Sequence, residues 1–230
     1  MRIDSKNRTI INILGAPLII FSILFNQITF SILIFTIFIF SMYEYISLIK
    51  ENSKFTLYKI ILGIFWISSI FFFLAIYYSF NVSNFFVLLI FISVWITDSM
   101  AFIMGKRFGK KKIFPNVSPN KTWVGSISGL SFSILFLLLV YFILNDFRHI
   151  HYRIWPNYFE ISDIISLGFI IGFFSQFGDF LESYFKRKLG VKDSSKLLLG
   201  HGGFLDRFDS MFTVGITIYF YLFINGYYYG

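Results

Sequence analysis

The sequence predicts an all-α, polytopic integral membrane protein, and three observations support this fold class. Of the 230 residues, 57% are hydrophobic and only 14% are charged, whereas about a quarter of the residues in a soluble domain are charged. Several apolar runs reach the roughly 20 residues that a helix needs to cross a bilayer. Nearly all basic residues fall on one side of the membrane if these runs cross it. We expect a single domain over residues 1–230, with a polar cavity on the cytoplasmic side.

Seven spans account for the apolar runs, at approximately residues 9–25, 28–46, 57–79, 84–104, 123–144, 161–185 and 209–228. The first run follows the basic start MRIDSKNR, and no small-residue cleavage site comes after it. We therefore expect a retained anchor instead of a removed signal peptide. Residues 1–80 carry few polar motifs, whereas residues 84–230 carry all the motifs that suggest chemistry.

The basic residues also predict the orientation. With the N-terminus inside, only Arg148 and Arg153 of the 20 Lys and Arg fall outside. This asymmetry predicts an inside N-terminus and an outside C-terminus. It also explains the net charge of +8 as topology, and we expect no nucleic-acid partner. The absence of Cys from the sequence excludes disulfides and thiolate metal sites.

Two acidic residues lie within apolar runs, where an unpartnered carboxylate costs several kcal/mol. These are Asp98, in the fourth span, and Asp179, in the sixth. Polar side chains of the sixth span recur at i, i+4, i+7 and i+8, which places them on one helix face: Ser175, Asp179, Glu182 and Ser183. Gly172 and Gly178 would let another backbone or a ligand approach this helix closely. The alternative is that each carboxylate sits near a helix end and reaches water.

The stretch GHGGFLDRFDS before the last span combines glycines with carboxylates. Gly202 and Gly203, which follow His201, would let a backbone approach a phosphate. Asp206 and Asp209 are spaced i, i+3, and with Asp179 they would form an all-oxygen site. Such a set favours a hard cation such as Mg²⁺, accompanied here by substrate phosphates because basic residues are close. The alternative is that the two carboxylates only stabilise a helix N-terminus.

A third polar segment, GKRFGKKKIFPNVSPNKTWVGSISG from Gly105 to Gly129, is basic and rich in turn residues. It leads into the N-terminus of the fifth span. A basic loop before a helix N-terminus is a candidate anion site.

Two sequence patterns carry a resemblance to a known family. The pattern S-x-F-K-R-x4-K-D runs from Ser183 to Asp193, and HGGxxDRxD runs from His201 to Asp209. Together they resemble the signature of phosphatidate cytidylyltransferases (CDP-diacylglycerol synthases), and we call residues 183–209 the signature segment. Residues 98–129 and 175–183 are also similar to that family, whereas the N-terminal spans match only in character. The chain is shorter than bacterial members, which implies that it lacks one or two N-terminal spans.

The resemblance implies transfer of the cytidylyl group of CTP to phosphatidate, giving CDP-diacylglycerol and pyrophosphate for phospholipid synthesis. It implies Mg²⁺ as a cofactor, with a second cation left open. The implied metal ligands are Asp179, Asp206 and Asp209, and the other implied catalytic residues are Lys192 and Arg207. The implied substrate-binding residues are Asp98, Ser118, Asn120, Lys121, Lys186, Arg187, Asp193, His201, Gly202 and Gly203. The implied location is the bacterial inner membrane with the site facing the cytoplasm, and a homodimer is left open.

Two other interpretations remain. A CTP-dependent enzyme that acts on an isoprenoid-type lipid phosphate would use much of the same chemistry. A cation transporter would use Asp98 and Asp179 to line a pathway. A transporter needs polar residues along the full depth of several spans, whereas here the outer halves of the spans are apolar.

Overall fold

The computed structural model describes residues 5–52, 57–80, 82–145, 159–195 and 202–227. Within these ranges the chain forms α-helices, together with one 3-10 turn and an isolated β-bridge between Lys112 and Thr122. The helices are α1 (Ser5–Phe25), α2 (Gln27–Asn52), α3 (Leu57–Ser68), α4 (Phe72–Ser79), α5 (Asn84–Phe108), α6 (Trp123–Asn145), α7 (Ile161–Lys188) and α8 (Leu205–Ile224). The all-α prediction is confirmed for the described part of the chain.

Five helical stretches in the described ranges are long and apolar enough to cross a membrane: Gln27–Glu51, Leu57–Ser79, Asn84–Phe108, Trp123–Leu144 and Ile161–Lys188. Large apolar side chains such as Phe65, Leu139 and Phe169 are exposed on their outer faces, as expected for surfaces that contact lipid. The molecule is therefore a helical membrane protein. The last predicted span corresponds to α8, which begins at Leu205, before the predicted start at residue 209, and α8 is not among these five stretches.

The predicted third span is present but is not one regular helix. Helices α3 and α4 are separated by the 3-10 turn Ser69–Phe71. The Ser69 hydroxyl lies 2.5 Å from the carbonyl oxygens of both Trp66 and Phe212. A polar side chain thus occupies the interruption and links this span to α8, which limits the cost of irregular backbone at membrane depth.

Glycines bring the last four helices into close contact. A Cβ added at Gly129 would clash with α5 at Thr97, and one added at Gly172 would clash with α6 at Leu130. At Gly178 it would clash with the backbone of α8 at Asp209. Small residues allow this close approach of membrane helices, and the close approach predicted at Gly172 and Gly178 is confirmed. The packing brings the C-terminal ends of α5 and α7 to the same end of the bundle as the N-terminal ends of α6 and α8.

Candidate active site

A polar cavity of about 620 Å³ opens at this end of the bundle. Its wall is formed by the end of α5, the loop between α5 and α6, the start of α6 and the middle of α7. The polar lining residues are Asp98, Lys106, Lys112, Ser118, Asn120, Lys121, Thr122, Ser126, Gln176 and Asp179. The cavity therefore gathers five of the residues predicted from sequence: Asp98, Ser118, Asn120, Lys121 and Asp179.

The loop from Gly109 to Thr122 is held by its own backbone. The Ile113 N–H donates to the Lys121 carbonyl at 3.2 Å, and the Trp123 N–H donates to the Lys111 carbonyl at 3.1 Å. The Thr122 hydroxyl accepts from the Gly125 N–H at 3.1 Å and so caps the N-terminus of α6. These hydrogen bonds fix the backbone around Lys121, whose side chain reaches the cavity.

The central charged contact of the cavity is an ion pair between Lys121 and Asp179. About a quarter to a third of each side chain remains exposed, 26% for Lys121 and 31% for Asp179. The Lys121 ammonium also lies 4.2 Å from the ring centroid of Phe180, and the Ser183 hydroxyl donates to Asp179 at 3.3 Å. A pair with this exposure can change partners when a ligand enters, because water already solvates both groups.

Two further carboxylates adjoin this pair. Asp98 is exposed on the cavity wall. Asp209 lies outside the cavity lining, with only 7% of its surface exposed, and its backbone packs against Gly178, the residue before Asp179. The Asp209 carboxylate accepts from the Ser210 N–H at 2.7 Å. One corner of the cavity thus brings the acidic side chains of Asp98 and Asp179 close to the Lys121 ammonium, with Asp209 packed next to it.

Asp206 does not line the cavity but belongs to a separate cluster, which we call the buried network: Glu44, Glu182, Lys186, Ser194 and Asp206. The Asp206 carboxylate accepts from Lys186 Nζ at 2.6 Å and from the Gly203 N–H at 2.8 Å. It also accepts from the Ser194 N–H and hydroxyl, both at 2.9 Å. Lys186 in turn pairs with Glu182 at 2.5 Å. Asp206 and Asp209 therefore face different surroundings, although they are only three residues apart.

Sequence reasoning missed Glu44, a 1% exposed carboxylate of α2. It accepts hydrogen bonds from the Ser195 hydroxyl and from the N–H groups of Phe204 and Leu205. The Ser194 hydroxyl, which has one proton, lies 3.0 Å from Glu44 and 2.9 Å from Asp206 and is shared between them. The sequence did contain a signal for Glu44, because it is an acidic residue near the C-terminal end of an apolar run. Such residues are rare and usually have a partner.

The buried network explains why glycine is found at positions 202 and 203 of the signature segment. Gly202 has a φ of +78°, which favours glycine, and a Cβ there would clash with the Asp206 carboxylate. A Cβ at Gly203 would clash with Glu44 and Ser194. The Gly203 N–H, predicted to face a phosphate, donates to Asp206 instead.

Of the remaining predicted residues, those that the structure describes do not line the cavity. Lys192, Asp193 and Arg207 are exposed, and His201 lies outside the described residues. Arg187 is exposed as well, but its guanidinium donates to the carbonyls of Val117 at 3.2 Å and Val191 at 3.0 Å. Arg187 thus ties the cavity loop to the signature segment.

Within the described ranges no group of three or more His, Asp or Glu side chains is arranged to hold a metal ion together. The predicted set of Asp179, Asp206 and Asp209 is divided between the cavity corner and the buried network. The donor chemistry at the corner nevertheless fits a hard cation, because its ligands would be carboxylate oxygens and phosphates.

A known protein family matches most of the chain. The model of the family described as "Cytidylyltransferase family" matches residues 55–225, which include the cavity, Lys186, Ser194 and Asp206. The chain belongs to the cytidylyltransferase family. Helix α2, with Glu44, precedes the matched residues.

Curated relatives of this cytidylyltransferase-family chain carry a more specific name. A protein of Staphylococcus epidermidis named phosphatidate cytidylyltransferase is 42% identical over 129 residues, which are 56% of this chain and 45% of that protein. A protein of the same name from Staphylococcus aureus is 43% identical over 130 residues, with the same shares of 56% and 45%. The chain thus spans about half the length of the curated relatives it matches.

Proposed function

We propose that the protein transfers the cytidylyl group of CTP to phosphatidate, producing CDP-diacylglycerol and pyrophosphate. The observation that carries this proposal is the cavity where Lys121, Asp98 and Asp179 meet at one end of the helical bundle. The family of the chain and the name of its relatives support the same reaction. They also favour an enzyme over the cation transporter considered from the sequence.

The cavity has the size and charge that a nucleoside triphosphate needs. Its volume of about 620 Å³ falls in the usual range for small-molecule sites, roughly 300–1,000 Å³. We assign the phosphates of CTP to the side where Lys106, Lys112 and Lys121 meet the hydroxyl of Ser118 and the amide of Asn120. Ammonium groups and neutral donors together suit phosphate oxygens.

The reaction needs no covalent intermediate on the protein. A phosphate oxygen of phosphatidate attacks the α-phosphorus of CTP, and the bond from that phosphorus to the oxygen bridging the β-phosphate breaks. Pyrophosphate leaves with the electron pair of this bond. The contribution of the chain is to position the two anions and to balance the charge that develops, as in other phosphoryl-type transfers. Lys121 can fill this role because its pair with Asp179 is partly exposed.

We propose Asp179 and Asp209 as the carboxylates that hold Mg²⁺ together with the CTP phosphates, with Asp98 beside them. When bound, Mg²⁺ would offset phosphate charge and make the α-phosphorus more electrophilic. Asp206 is the third ligand predicted from sequence. To bind the same ion, Asp206 would have to give up its contacts with Lys186 and Ser194. We therefore rank Asp206 after Asp179 and Asp209 as a metal ligand. A second cation and a homodimer stay predictions.

We assign no step of the reaction to four basic residues of the signature segment that the resemblance implies, namely Lys186, Arg187, Lys192 and Arg207. Lys186 is engaged by Glu182 and Asp206, and Arg187 donates to two backbone carbonyls. Lys192 and Arg207 are exposed outside the cavity lining. Their roles in phosphate binding stay predictions from the resemblance.

For the location, we propose seven spans in the bacterial cell membrane with the cavity facing the cytoplasm. The basic residues near the cavity, Lys106 to Lys112, support this orientation through the positive-inside rule. Single cysteines introduced at Lys110 and at Arg153 should react with an impermeant reagent from opposite sides of sealed vesicles. Labelling of both from the same side would contradict the seven-span topology.

The reaction is tested with purified full-length protein, radiolabelled CTP and phosphatidate in detergent micelles, with and without Mg²⁺. We expect labelled CDP-diacylglycerol and an equal amount of pyrophosphate only when all components are present. A parallel reaction with a polyprenyl phosphate tests the isoprenoid alternative. Product from polyprenyl phosphate and none from phosphatidate would overturn the proposed substrate. If neither lipid gave a product, the proposal that the protein is a cytidylyltransferase would be overturned.

A further inference from the structure

The N-terminus of α8 is capped by a side chain from a distant helix. The first N–H groups of any helix have no partner within that helix. In α8 two of these donors, the N–H groups of Phe204 and Leu205, point to Glu44 of α2 at 3.0 and 2.9 Å. A carboxylate in this position is also favoured by the helix dipole.

The same carboxylate orders the chain before α8. Glu44 accepts from the Ser195 hydroxyl at 2.7 Å and from the Ser194 hydroxyl at 3.0 Å. The Ser194 hydroxyl also lies 2.9 Å from Asp206, so this serine stands between the two carboxylates. A displacement of Glu44 would therefore also change the surroundings of Asp206, because the Ser194 side chain connects the two carboxylates.

Aromatic packing holds α2 against the same segment. The rings of Phe40 and Phe204 are stacked with centroids 4.8 Å apart, and those of Tyr45 and Phe185 are stacked at 4.9 Å. Phe40 and Glu44 are spaced i, i+4 and lie on one face of α2. Because the Glu44 carboxylate is buried, its hydrogen bonds must be kept for the charge to remain inside. The contact thus fixes where the signature segment lies.

From these contacts we propose that Glu44 is a positioning residue of the active site, supplied by a helix that precedes the family-matched residues. Glu44 holds the start of α8 so that Asp209, one helical turn further on, stays beside Asp179 at the cavity corner. It acts through the α8 backbone and does not touch substrate. The effect on turnover rests on the proposed function, whereas the capping of α8 does not.

The test uses Glu44→Gln in the full-length protein, with Glu51→Gln as the matched control. Glu51 is exposed near the end of the same helix. In Glu44→Gln an amide NH₂ replaces one acceptor oxygen and opposes two of the donors. We expect kcat to fall by about tenfold or more, since hydrogen bonds to a charged group are lost. The KM for CTP should stay within about twofold, because the residues we assign to CTP do not contact Glu44.

Hydrogen exchange followed by mass spectrometry provides the readout that does not need activity. The amides of residues 203–205 should exchange faster in Glu44→Gln and at the wild-type rate in Glu51→Gln. If Glu44→Gln cannot be extracted in folded form, Glu44→Asp, which keeps the charge but shortens the reach, is measured in the same way. If the amides of residues 203–205 exchanged at the wild-type rate in the Glu44 variant, the proposal that Glu44 caps α8 would be overturned. Faster exchange with wild-type kcat would overturn the positioning role.

A wild-type protein without cytidylyltransferase activity would count against the proposed function alone. The exchange experiment would then still decide whether Glu44 caps α8. The two proposals can therefore fail separately.

Discussion

The cavity and the buried network lie at the same end of the bundle but hold their charges in different ways. In the cavity, the side chains of Lys121 and Asp179 are 26% and 31% exposed. In the network, Glu182 is 1% exposed and Lys186 10%. The carboxylates of Glu44 and Asp206 are surrounded by donors from three separate parts of the chain.

This difference predicts different consequences of mutation. A partly exposed ion pair contributes little to stability, because water can replace either partner. A buried charge that loses its partner destabilises the fold strongly. Substitutions in the cavity should therefore reduce activity in a folded protein, whereas loss of the Lys186 charge in the network should reduce stability first.

The largest expected effect on activity is that of Asp179→Asn. Removing a group that stabilises charge at a reaction centre commonly costs about 10²–10³ in rate, and we expect at least this loss in kcat at saturating Mg²⁺. The thermal unfolding midpoint in detergent should stay at the wild-type value. Near-wild-type turnover would exclude Asp179 as a metal ligand, and a large drop in the midpoint would contradict the distinction between the two regions.

The largest expected effect on stability is that of Lys186→Met. This change leaves Glu182 and Asp206 facing each other in the interior, and breaking such a buried pair costs roughly 3–5 kcal/mol. We expect a much lower thermal midpoint or loss of extractable folded protein. Lys188→Met, an exposed lysine two residues further along α7, is the matched control. A folded Lys186→Met protein with only a raised KM would instead support direct phosphate binding by Lys186.

A smaller effect is expected for Lys121→Gln. A charge-assisted contact to phosphate is worth roughly 1.5–3 kcal/mol, so kcat/KM for CTP or phosphatidate should fall by about tenfold or more. Lys110→Gln serves as the control, because Lys110 is exposed on the same loop outside the cavity lining. Equal kinetics for the two variants would show that the loop is basic for orientation alone.

The smallest effect is expected for Lys192→Gln, measured at subsaturating CTP and lipid. The Lys192 ammonium is exposed and lies outside the cavity lining. Exposed ionic contacts are worth about 0.2–1 kcal/mol, and kcat/KM should fall by no more than about fivefold. A loss of tenfold or more would restore the catalytic role that the family resemblance implies and would extend the site beyond the cavity.

The sequence by itself was sufficient for properties that depend on nearby residues. Apolar runs predicted the helical membrane fold, because the length needed to cross a bilayer is a property of a continuous stretch. The spacing of Ser175, Asp179 and Glu182 correctly predicted an inward polar face of α7, where Ser175 and Glu182 are buried. Gly178 correctly predicted a close helix contact. Asp98, Lys121 and Asp179, each chosen from its own motif, line one cavity.

Only the tertiary structure decided which partner each charge takes. Asp206 and Asp209 looked equivalent in sequence, but Asp206 pairs with Lys186 in the buried network, whereas Asp209 packs against Gly178, the residue before Asp179. The partner that caps α8, Glu44, lies 160 residues from Phe204 along the chain. Local spacing cannot predict such a contact, because it depends on how α2 and α8 pack. Burial then fixes the outcome, since a carboxylate inside the bundle is stable only where donors from other helices converge on it.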